Sequence, residues 1–556
     1  MSRYKSLTDE EIRRIIELDD ETQEETEDIS DDEYIPNSCD SSSQDQSSED
    51  EEENIDEGHA VTDCRGCDVY MAAPSGDKWY SRTSNSAGRM CAANVMTSQP
   101  GITAYAGSRI TSDPISAFNL IFDQNMKVTI LVETNRQGEK AIKNWKKMAM
   151  DEFEAYLGLC ILRGVYKSKH QAVRQLWNPS YGPPIFAKTM SVNRFEEIRR
   201  ALRFDNPVTR QSRIVRDKLA AVRLLIDGFI ENSQKCYRHT ECVTVDEQLY
   251  PYRGRCRFIQ YMPSKPAKYG LKFWILADAE SYYVSNIEMY TGKDPQRTQD
   301  LGMHVVLKLS EHLKNSGRNI TCDNFFTSLK LARELKEKKL SLVGTVRNNR
   351  REVPHEFRAI KNKQLYESNC AFSEDGALLV SYKAKKNKNV ILLSTQHKEN
   401  KISIGEKKKP ELVLYYNKTK GGVDCADERI ASYSIKYISK RWHVPVFCNI
   451  VDLSCYNAYV LYTTVFQEYQ QGKSHKRRLF LSDLGMALSE NHRNSRVTGA
   501  PVPSISSNVE PKKRGRCAFC PRNKDKKSVH RCFKCNSVAC TDHMLVICPS
   551  CNGNDS

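Results

Sequence analysis

The chain has 556 residues, with 84 Lys and Arg against 70 Asp and Glu, and its formal net charge is +14. Hydrophobic residues make up 39%, and no run approaches the roughly 20 apolar residues that span a bilayer, so composition argues against a membrane protein. The first residues contain no apolar core of a secretory signal, which favours a reducing compartment. The 20 cysteines therefore suggest metal binding rather than a disulfide framework.

The charge is divided between an acidic start and a basic body. Residues 1–60 contain 23 acidic and 4 basic residues. Residues 1–110 are predicted to be an acidic, mostly disordered region, because such a composition buries too little apolar surface to offset ordering entropy. Within it, the lone pair Cys64 and Cys67 is assigned no metal. The basic body favours a polyanion partner, nucleic acid first, although ribosomal and chaperone-bound proteins share this charge.

Apolar residues at helical spacing predict an all-helical region over residues 111–240. Its helices are expected at 114–122, 151–162, 191–202 and 218–230. From residue 241 the pattern changes to short β-branched runs, which predict strands. Strands are expected at 242–246, 271–277, 282–290, 319–323 and 341–346, with helices at 300–314 and 328–338. Three strands followed by alternating helices and strands is the order expected of a ribonuclease-H-like α/β fold.

The second half of the chain is interrupted before regular structure returns. Residues 350–410 are basic and irregular, and they are interpreted as an insertion. Gly421 and Gly422 break the chain before a predicted helix. The other elements expected in this half are strands at 378–382, 390–394 and 411–416, and helices from about 423 and over 444–470.

Four aspartates stand at predicted strand ends or at a helix start. Asp246 and Asp323 each follow a predicted strand, whereas Asp424 and Asp427 are three apart and share one face of a helix. Clustered carboxylates suit hard cations such as Mg²⁺, and two such ions can promote phosphodiester cleavage. The alternative is strong for any single residue, because an Asp after a strand is usually a turn former or a helix cap.

The sequence around these aspartates resembles the piggyBac family of DNA transposases. The resemblance lies in four long phrases, which occur in the order and near the spacing of the family, and it covers roughly residues 114–556. The phrases are Val243–Cys256, Pro263–Gly270, Asn319–Ser328 and Tyr415–Asp427.

The resemblance implies a ribonuclease-H-like core, formed by residues 241–349 and 411–433, with DDD chemistry. Asp246, Asp323 and Asp424 match the family's metal-ligand aspartates, and Asp427 matches a fourth catalytic carboxylate. The implied cofactor is Mg²⁺ or Mn²⁺. The implied enzyme nicks DNA at the transposon end, forms and resolves a hairpin there, and joins the 3′-OH to target DNA at TTAA.

The resemblance also implies DNA contacts from basic and aromatic residues. From composition alone, the cations that follow the first aspartate are equally well phosphate clamps or a solvated face, namely Arg253, Arg255, Lys265, Lys268 and Lys272. Without the resemblance, Trp442 is equally well a tryptophan that packs a helix. Residues 111–240 and 434–500 would form a helical dimerisation and DNA-binding domain, and a homodimer is expected because two transposon ends are held at once. The matched DNA contacts are Arg253, Arg255, Tyr261, Lys268, Arg347, Arg350 and Trp442.

A linker over residues 501–515 leads to a cysteine-rich module at 516–556. Eight ligands in four closely spaced pairs predict two structural zinc sites in a cross-brace arrangement. Residues 501–556 hold 10 Lys and Arg against 4 Asp and Glu, and Pro511–Arg516 reads as a nuclear localisation signal. The first predicted site contains Cys517, Cys520, Cys540 and His543, and the second contains Cys532, Cys535, Cys548 and Cys551.

Three functions remain open at this point. The first is an active cut-and-paste transposase, which the four intact aspartates favour. The second is a domesticated DNA-binding protein that keeps the fold without cutting. The third is a RING-type ubiquitin ligase, since cross-brace zinc is shared, but the large basic body argues against it.

Overall fold

The computed structural model describes residues 61–62, 68–72, 75–81, 95–169, 171–292, 300–358, 363–497, 515–524, 526–528, 537–538 and 540. The chain divides into two compact units, Met1–Arg493 and Asn494–Ser556, which are described separately. The acidic segment 1–60 and the pair Cys64 and Cys67 lie outside the described residues.

The first unit is built on one mixed sheet of twelve strands among the described residues. A separate two-stranded ribbon joins β4 (Gly101–Ile102) to β5 (Tyr237–Arg238). The strands of the large sheet are β1 (Val61–Thr62), β2 (Asp68–Ala72), β3 (Asp77–Tyr80), β6 (Cys242–Pro251), β7 (Ile259–Tyr261), β8 (Tyr269–Asp278), β9 (Val284–Met289), β10 (Asn319–Cys322), β11 (Ser341–Val346), β12 (Ser368–Ser373), β13 (Leu378–Lys385) and β14 (Lys388–Ser394).

Five of these strands form the centre of the sheet, in the order β9-β8-β6-β10-β11. The first three are an antiparallel meander, whereas β10 and β11 run parallel to β6 and to each other. When these five strands are numbered 1 to 5 by their order along the chain, they lie side by side in the order 3-2-1-4-5. Because β6, β10 and β11 are parallel, the residues beyond Val245 of β6, Cys322 of β10 and Val346 of β11 lie toward one side of the sheet, which is named the carboxyl edge below.

The segment predicted as an insertion extends this sheet. Strand β14 pairs antiparallel with β11, and the sheet continues through β13 and β12 to β3. Residues 61–110 were expected to be mostly disordered, and that expectation is wrong for β2 and β3. The indole of Trp79 in β3 is fully buried and its Nε1 donates to the carbonyl of Glu352 at 2.9 Å. Strand β2 pairs with its sequence neighbours β1 and β3, whereas β3 also pairs with β12, some 290 residues away along the chain, so no local pattern reveals that this hairpin joins the large sheet.

The helices predicted at 114–122, 151–162 and 191–202 are present, and the one predicted at 218–230 begins later, at Arg223. The helices of the first unit are α1 (Ala104–Gly107), α2 (Pro114–Ile121), α3 (Gln124–Ala141), α4 (Met150–Val165), α5 (Pro184–Thr189), α6 (Val192–Ala201), α7 (Pro207–Ile214), α8 (Arg223–Cys236), α9 (Leu301–Ser310), α10 (Leu329–Glu337), α11 (His355–Arg358), α12 (Glu411–Thr419), α13 (Gly422–Ser432), α14 (His443–Val465) and α15 (Lys476–Leu488), with α16 (Glu490–Val497) at the boundary between the units.

The strand predicted at 411–416 is wrong, because these residues form helix α12. A short apolar run fits a buried strand and a buried helix equally well, so its periodicity does not decide between them. The helix begins directly after Pro410, and its buried residues Leu412 and Val413 pack on the sheet beside Tyr382. The predicted break at the two glycines is confirmed, since α13 begins at Gly422.

Helix α14 is the central helix of the all-helical part. By length and composition it is the described helix that could cross a membrane, but 94% of its apolar window is buried inside the fold. Its buried polar side chains form hydrogen bonds with other elements of the first unit. The Asn457 side chain accepts from the Val284 backbone amide at 3.0 Å, and the Asp452 carboxylate accepts from the Tyr250 hydroxyl and the Ile435 amide.

Close packing at Gly422 fixes helix α13 against the sheet. The Thr244 hydroxyl of β6 donates to the carbonyl of Thr419 at 2.7 Å, just before the helix begins. A Cβ atom at position 422 would lie 2.4 Å from the Thr244 Oγ1 and 2.9 Å from its Cβ. Only glycine allows this approach, so β6 and α13 are held in one fixed relation.

In the second unit, β15 (Gly515–Arg516) pairs antiparallel with β16 (Lys527–Ser528). The backbone amide of Cys517 donates to the Lys526 carbonyl at 2.9 Å. A short turn at Arg522–Lys524 connects the two strands. The remaining residues of the linker and the predicted nuclear localisation signal, up to residue 514, lie outside the described residues.

We predict that Gly422→Ala lowers the urea midpoint of the full chain, at a cost of about 1–3 kcal/mol, because the added methyl group overlaps Thr244. Gly421→Ala is the matched control, since the nearest atom to its Cβ would be the Cys425 Sγ at 3.6 Å, which is ordinary contact. Urea titrations followed by tryptophan fluorescence measure both. Equal midpoints for the two variants would contradict the packing argument.

Candidate active site

Asp246 and Asp323 lie beside each other at the carboxyl edge. Strand β10 pairs with β6 in parallel register, with Cys322 opposite Val245, so the next residues on the two strands are Asp323 and Asp246. Neighbouring strands are about 4.8 Å apart, which places the two carboxylates in direct electrostatic contact. Strand β6 continues past Asp246 to Pro251, five residues beyond the predicted strand end, because β8 pairs with it there.

Backbone amides orient both carboxylates. The amide of Phe325 donates to Asp323 Oδ1 at 2.9 Å, and the amide of Glu247 donates to Asp246 Oδ1 at 2.8 Å. Each aspartate is half-buried. The side chains are therefore held by the fold while one side of each remains accessible.

Helix α13 brings the other two aspartates to the same region. Asp427 Oδ1 accepts from Gln248 Nε2 at 2.8 Å, and Gln248 Oε1 accepts from Asn449 Nδ2 of helix α14 at 2.8 Å. Asp427 is thus connected to β6 and to the central helix by one buried hydrogen-bonded chain. Asp424 is different, because its side chain is 67% exposed and its Oδ1 lies 3.6 Å from the Lys265 ammonium.

The electrostatics of the cluster disfavour negative charge. Burial, and then the neighbouring carboxylates of Asp323 and Asp424, raise the pKa of Asp246 to about 8. Burial also raises the pKa of Asp323 and of Asp427. Burial opposes the charge of Lys265, but Asp424 and Asp246 outweigh it and its pKa is raised. The aspartates therefore form a site that a cation stabilises.

Oxygen donors from several carboxylates are the ligands that Mg²⁺ and Mn²⁺ take. Asp246 and Asp323 are positioned as a pair for such an ion. The described carboxylates do not form a group of three whose oxygens converge within 4.8 Å, since Asp424 stands apart beside Lys265. The donor set fits a divalent cation, with Asp424 as the ligand that would turn toward it.

Three residues with roles at this site were not identified from the sequence as such. Lys265 faces Asp424 and donates to the Glu247 carbonyl at 3.2 Å, and Lys272 pairs with Glu247 Oε2 at 2.6 Å. Both lysines are therefore part of the carboxylate cluster rather than a solvated face. Gln248 lies two residues after Asp246 within a recognised phrase, but no local pattern indicates that its partner is Asp427, 179 residues away.

The predicted DNA contacts lie on two sides of the carboxylates. Arg253, Arg255, Tyr261 and Lys268 are exposed on the turns and short strand beyond the end of β6. The rings of Tyr261 and Tyr269 lie 4.8 Å apart and form an exposed aromatic pair. This group flanks the cluster on the β7 and β8 side of the sheet.

Arg347 and Arg350 lie on the opposite side, after β11. They line an open cleft of about 320 Å³ together with Phe325, Asp300 and Asn349. Arg347 Nε donates to Asn324 Oδ1 at 3.3 Å. Asn324 directly follows Asp323 along the chain, so this arginine lies close to Asp323. A phosphate bound in the cleft would therefore lie close to Asp323 and its neighbour Asp246.

Trp442 precedes helix α14 and is half-buried. Its ring meets Phe258 edge-on at 5.3 Å. The neighbouring Arg441 is already engaged, because its guanidinium donates to the carbonyls of Arg199 and Leu202 at the end of α6. The indole is thus packed on one side, and the neighbouring Arg441 has a structural role.

Three of the predicted zinc ligands meet in the second unit. The sulfurs of Cys517, Cys520 and Cys540 lie within 4.8 Å of one another, and none is in a disulfide. Three thiolates at this separation leave room for one tetrahedral ion and a fourth ligand. The predicted fourth ligand, His543, and the whole second set, Cys532, Cys535, Cys548 and Cys551, lie outside the described residues.

A family described as Transposase IS4 matches residues 113–459, which include all four aspartates. The human PiggyBac transposable element-derived protein 2 is 28% identical over 436 residues, covering 73% of this chain and 72% of the relative. The human PiggyBac transposable element-derived protein 3 is 26% identical over 428 residues, covering 70% and 68%.

Among solved structures, the chain is similar to a piggyBac transposase synaptic complex with hairpin DNA, determined by cryo-EM. The TM-score is 0.68 and the sequence identity is 33%, and the match covers 82% of this chain and 100% of that one. The likeness therefore extends well beyond the region around the carboxylates.

We predict that Gln248 and Asp427 are energetically coupled, because removing the glutamine leaves a buried carboxylate and the Asn449 amide without a partner. Gln248→Leu and Asp427→Asn should show a non-additivity of about 1–3 kcal/mol in urea unfolding. Gln260→Leu is the control for Gln248→Leu, since Gln260 Nε2 donates only to the neighbouring Ile259 carbonyl in the described structure. Additive effects in the Gln248 cycle would show that the buried chain does not hold Asp427.

Proposed function

This chain belongs to the piggyBac family of transposases, and from that premise we propose that it is an active cut-and-paste DNA transposase. The observation that carries the proposal is the pairing of Asp246 with Asp323 at the carboxyl edge, with Asp424 and Asp427 delivered beside them by one helix. A domesticated protein that has lost cleavage has no need to retain four aspartates that repel one another at one place in the fold.

Each step of the proposed reaction breaks one P–O bond at the attacked phosphorus and forms another. The steps in which water attacks leave a 5′-phosphate and a 3′-OH, whereas the steps in which a 3′-OH attacks exchange one phosphodiester for another. Water attacks phosphorus at the transposon end and releases a 3′-OH, which then attacks the opposite strand to give a hairpin. After water opens the hairpin, the 3′-OH joins to target DNA at TTAA. Divalent ions, when bound, would activate the attacking oxygen and stabilise the leaving oxygen.

The side chains of the cluster have separate tasks in this proposal. Asp246 and Asp323 are fixed by backbone amides and would provide the rigid half of the cation site. Asp424 is exposed and would complete it. Asp427 would act as a positioning residue, since Gln248 and Asn449 fix it against β6 and α14. Lys265 would balance the negative charge until the cation and the DNA arrive.

We further propose that the central five strands are a ribonuclease-H-like core, which their antiparallel meander followed by two parallel strands supports. The exposed residues Arg253, Arg255, Tyr261 and Lys268 would bind DNA on one flank, and Trp442 would lie beside the hairpin end. Arg347 and Arg350 would bind the target duplex. The assembly would be a homodimer, and the basic run Pro511–Arg516 would direct the chain to the nucleus.

For the second unit we propose a structural zinc module that binds the element's terminal DNA. The support is the convergence of Cys517, Cys520 and Cys540, together with the eight-ligand spacing of the sequence. The three sulfurs belong to the first and third pairs of that pattern, as a cross-brace requires. All four positions of such a site are protein ligands, so its role would be to hold the fold rather than to catalyse a reaction.

We predict that Asp246→Ala, Asp323→Ala or Asp424→Ala each abolishes strand nicking while DNA binding is retained. The carboxylates would supply metal ligands, whereas Lys and Arg make most phosphate contacts. Asp427→Ala should be severe but partial, because it acts through position. Plasmid excision with the element's ends and Mg²⁺ measures nicking, and gel shift measures binding. Excision at the wild-type rate by any of the first three variants would refute the catalytic assignment.

We predict two zinc ions per full chain by elemental analysis, falling to one in Cys520→Ser, because loss of one thiolate opens a tetrahedral site. Terminal-DNA binding should weaken at the same time, whereas divalent-metal binding in the first unit should not change. Cys370→Ser is the matched control, since Cys370 lies in β12 of the first unit. A wild-type chain with fewer than two zincs would refute the cross-brace.

A further inference from the structure

A closed hairpin precedes helix α12 and carries an isoleucine at its tip. The backbone amide of Ser403 donates to the Lys409 carbonyl at 2.8 Å, and that of Lys408 donates to the Gly405 carbonyl at 2.9 Å. Ile402 forms a β-bridge with Pro410. Residues 401–410, named the Ile404 hairpin, are therefore a hydrogen-bonded ribbon rather than a loose loop.

Both isoleucines of the Ile404 hairpin are exposed. Ile402 is 51% exposed and Ile404 is 107% exposed, the highest value among the large hydrophobic side chains described. They are separated by one residue, so they share a face of the ribbon. Lys401, Lys407 and Lys408 are exposed around them, although Lys401 pairs with Glu399 at 3.6 Å and the exposed Glu406 precedes Lys407. The segment 401–410 therefore keeps an excess of lysines, with four against one glutamate. The tip thus combines an apolar point with surrounding positive charge.

The sheet register places the Ile404 hairpin at the carboxyl edge. The Tyr382 hydroxyl donates to the Lys407 carbonyl at 2.5 Å. Tyr382 of β13 lies opposite Val390 of β14, and the next residue, Ile391, lies opposite Val346 of β11. Lys407 is therefore anchored at the level where Arg347 leaves β11.

The distance across the sheet from β13, to which the hairpin is attached, to Asp323 is short compared with the length of a bound DNA duplex. Strand β13 is three strands from β10, which carries Asp323 at its end. At about 4.8 Å per strand this separation is roughly 14 Å. A duplex rises about 3.4 Å per base pair, so strand β13 lies about four base pairs from the carboxylates, and the hairpin, which is attached at the end of the Tyr382 side chain, lies at least that far. It is also on the side of Arg347 and Arg350, where the target duplex would bind.

Single exposed isoleucines are common on protein surfaces and carry no meaning alone. This one is fixed at a rigid tip, surrounded by lysines and aligned with the carboxylates. Apolar wedges flanked by basic groups are used by DNA-binding proteins to unstack and kink base steps. We propose that Ile404 inserts between base pairs of the target duplex while Lys407 and Lys408 hold the adjacent phosphates. The inference rests on the proposed function of the chain.

The test uses the full chain bound to a TTAA-containing duplex in which 2-aminopurine replaces one base at a time. This base fluoresces when it is unstacked. Wild type should raise the signal several-fold at one step a few base pairs from TTAA. Ile404→Ala should lose most of that increase and integrate less efficiently, whereas Ile404→Leu should retain it. Leu365→Ala, a control at a residue 51% exposed on the turn before β12, should behave as wild type.

Excision from a donor plasmid, measured in parallel, separates this inference from the proposed function. Normal excision in wild type and Ile404→Ala, with fluorescence lost only in the latter, supports the wedge. Normal excision with no enhancement at any position, or with full enhancement in Ile404→Ala, overturns the wedge alone. A wild-type chain that neither excises nor binds the duplex overturns the proposed function, and the wedge with it.

Discussion

The mutual repulsion of carboxylates held at one edge of a sheet is the constraint on which the rest of the first unit depends. Burial and two neighbouring carboxylates raise the pKa of Asp246 to about 8, so the cluster is unfavourable without compensation. Compensation comes from backbone amides on the strand-end aspartates and from Lys265 beside Asp424. The fold keeps the charges together because rigid elements, rather than favourable local contacts, set their positions.

Two contacts show how that rigidity is produced. Gly422 lets helix α13 approach Thr244 so closely that any side chain would overlap it. Gln248 then joins the same strand to Asp427 and, through Asn449, to the buried central helix. The strand that carries Asp246 therefore also determines where the helical carboxylates lie. A shift of that strand would move all the aspartates together, which is how elements far apart in sequence can form one site.

Local pattern predicted all five central strands and half of the sixteen described α-helices, because each of these has its own periodicity over enough residues. The local pattern did not reveal elements and contacts whose partners lie far away along the chain. Helix α12 has an apolar run too short to distinguish from a strand, and β3 joins the large sheet by pairing with β12, which lies far away along the chain. The four aspartates were identified from family phrases, whereas their spacing of 77 and 101 residues carried little information. Lys265 and Gln248 acquire roles only from the fold, since their partners are separated from them by more than 150 residues.

The strand order also divides the surface around the carboxylates into two flanks. Strands β8 and β7 extend the sheet on one side of β6 and lead to Arg253, Arg255 and Tyr261, whereas β11, β14 and β13 extend it on the other side. The segment interpreted from the sequence as an insertion is what lengthens this second flank, because β13 and β14 pair directly onto β11. Residues 350–410 separate the two parts of the core along the chain. They also lengthen its carboxyl edge, which then runs from the cleft beside Arg347 to the Ile404 hairpin. A duplex lying along that edge would meet cations on both sides of the carboxylates, which is the arrangement required to hold two DNA segments at one reaction centre.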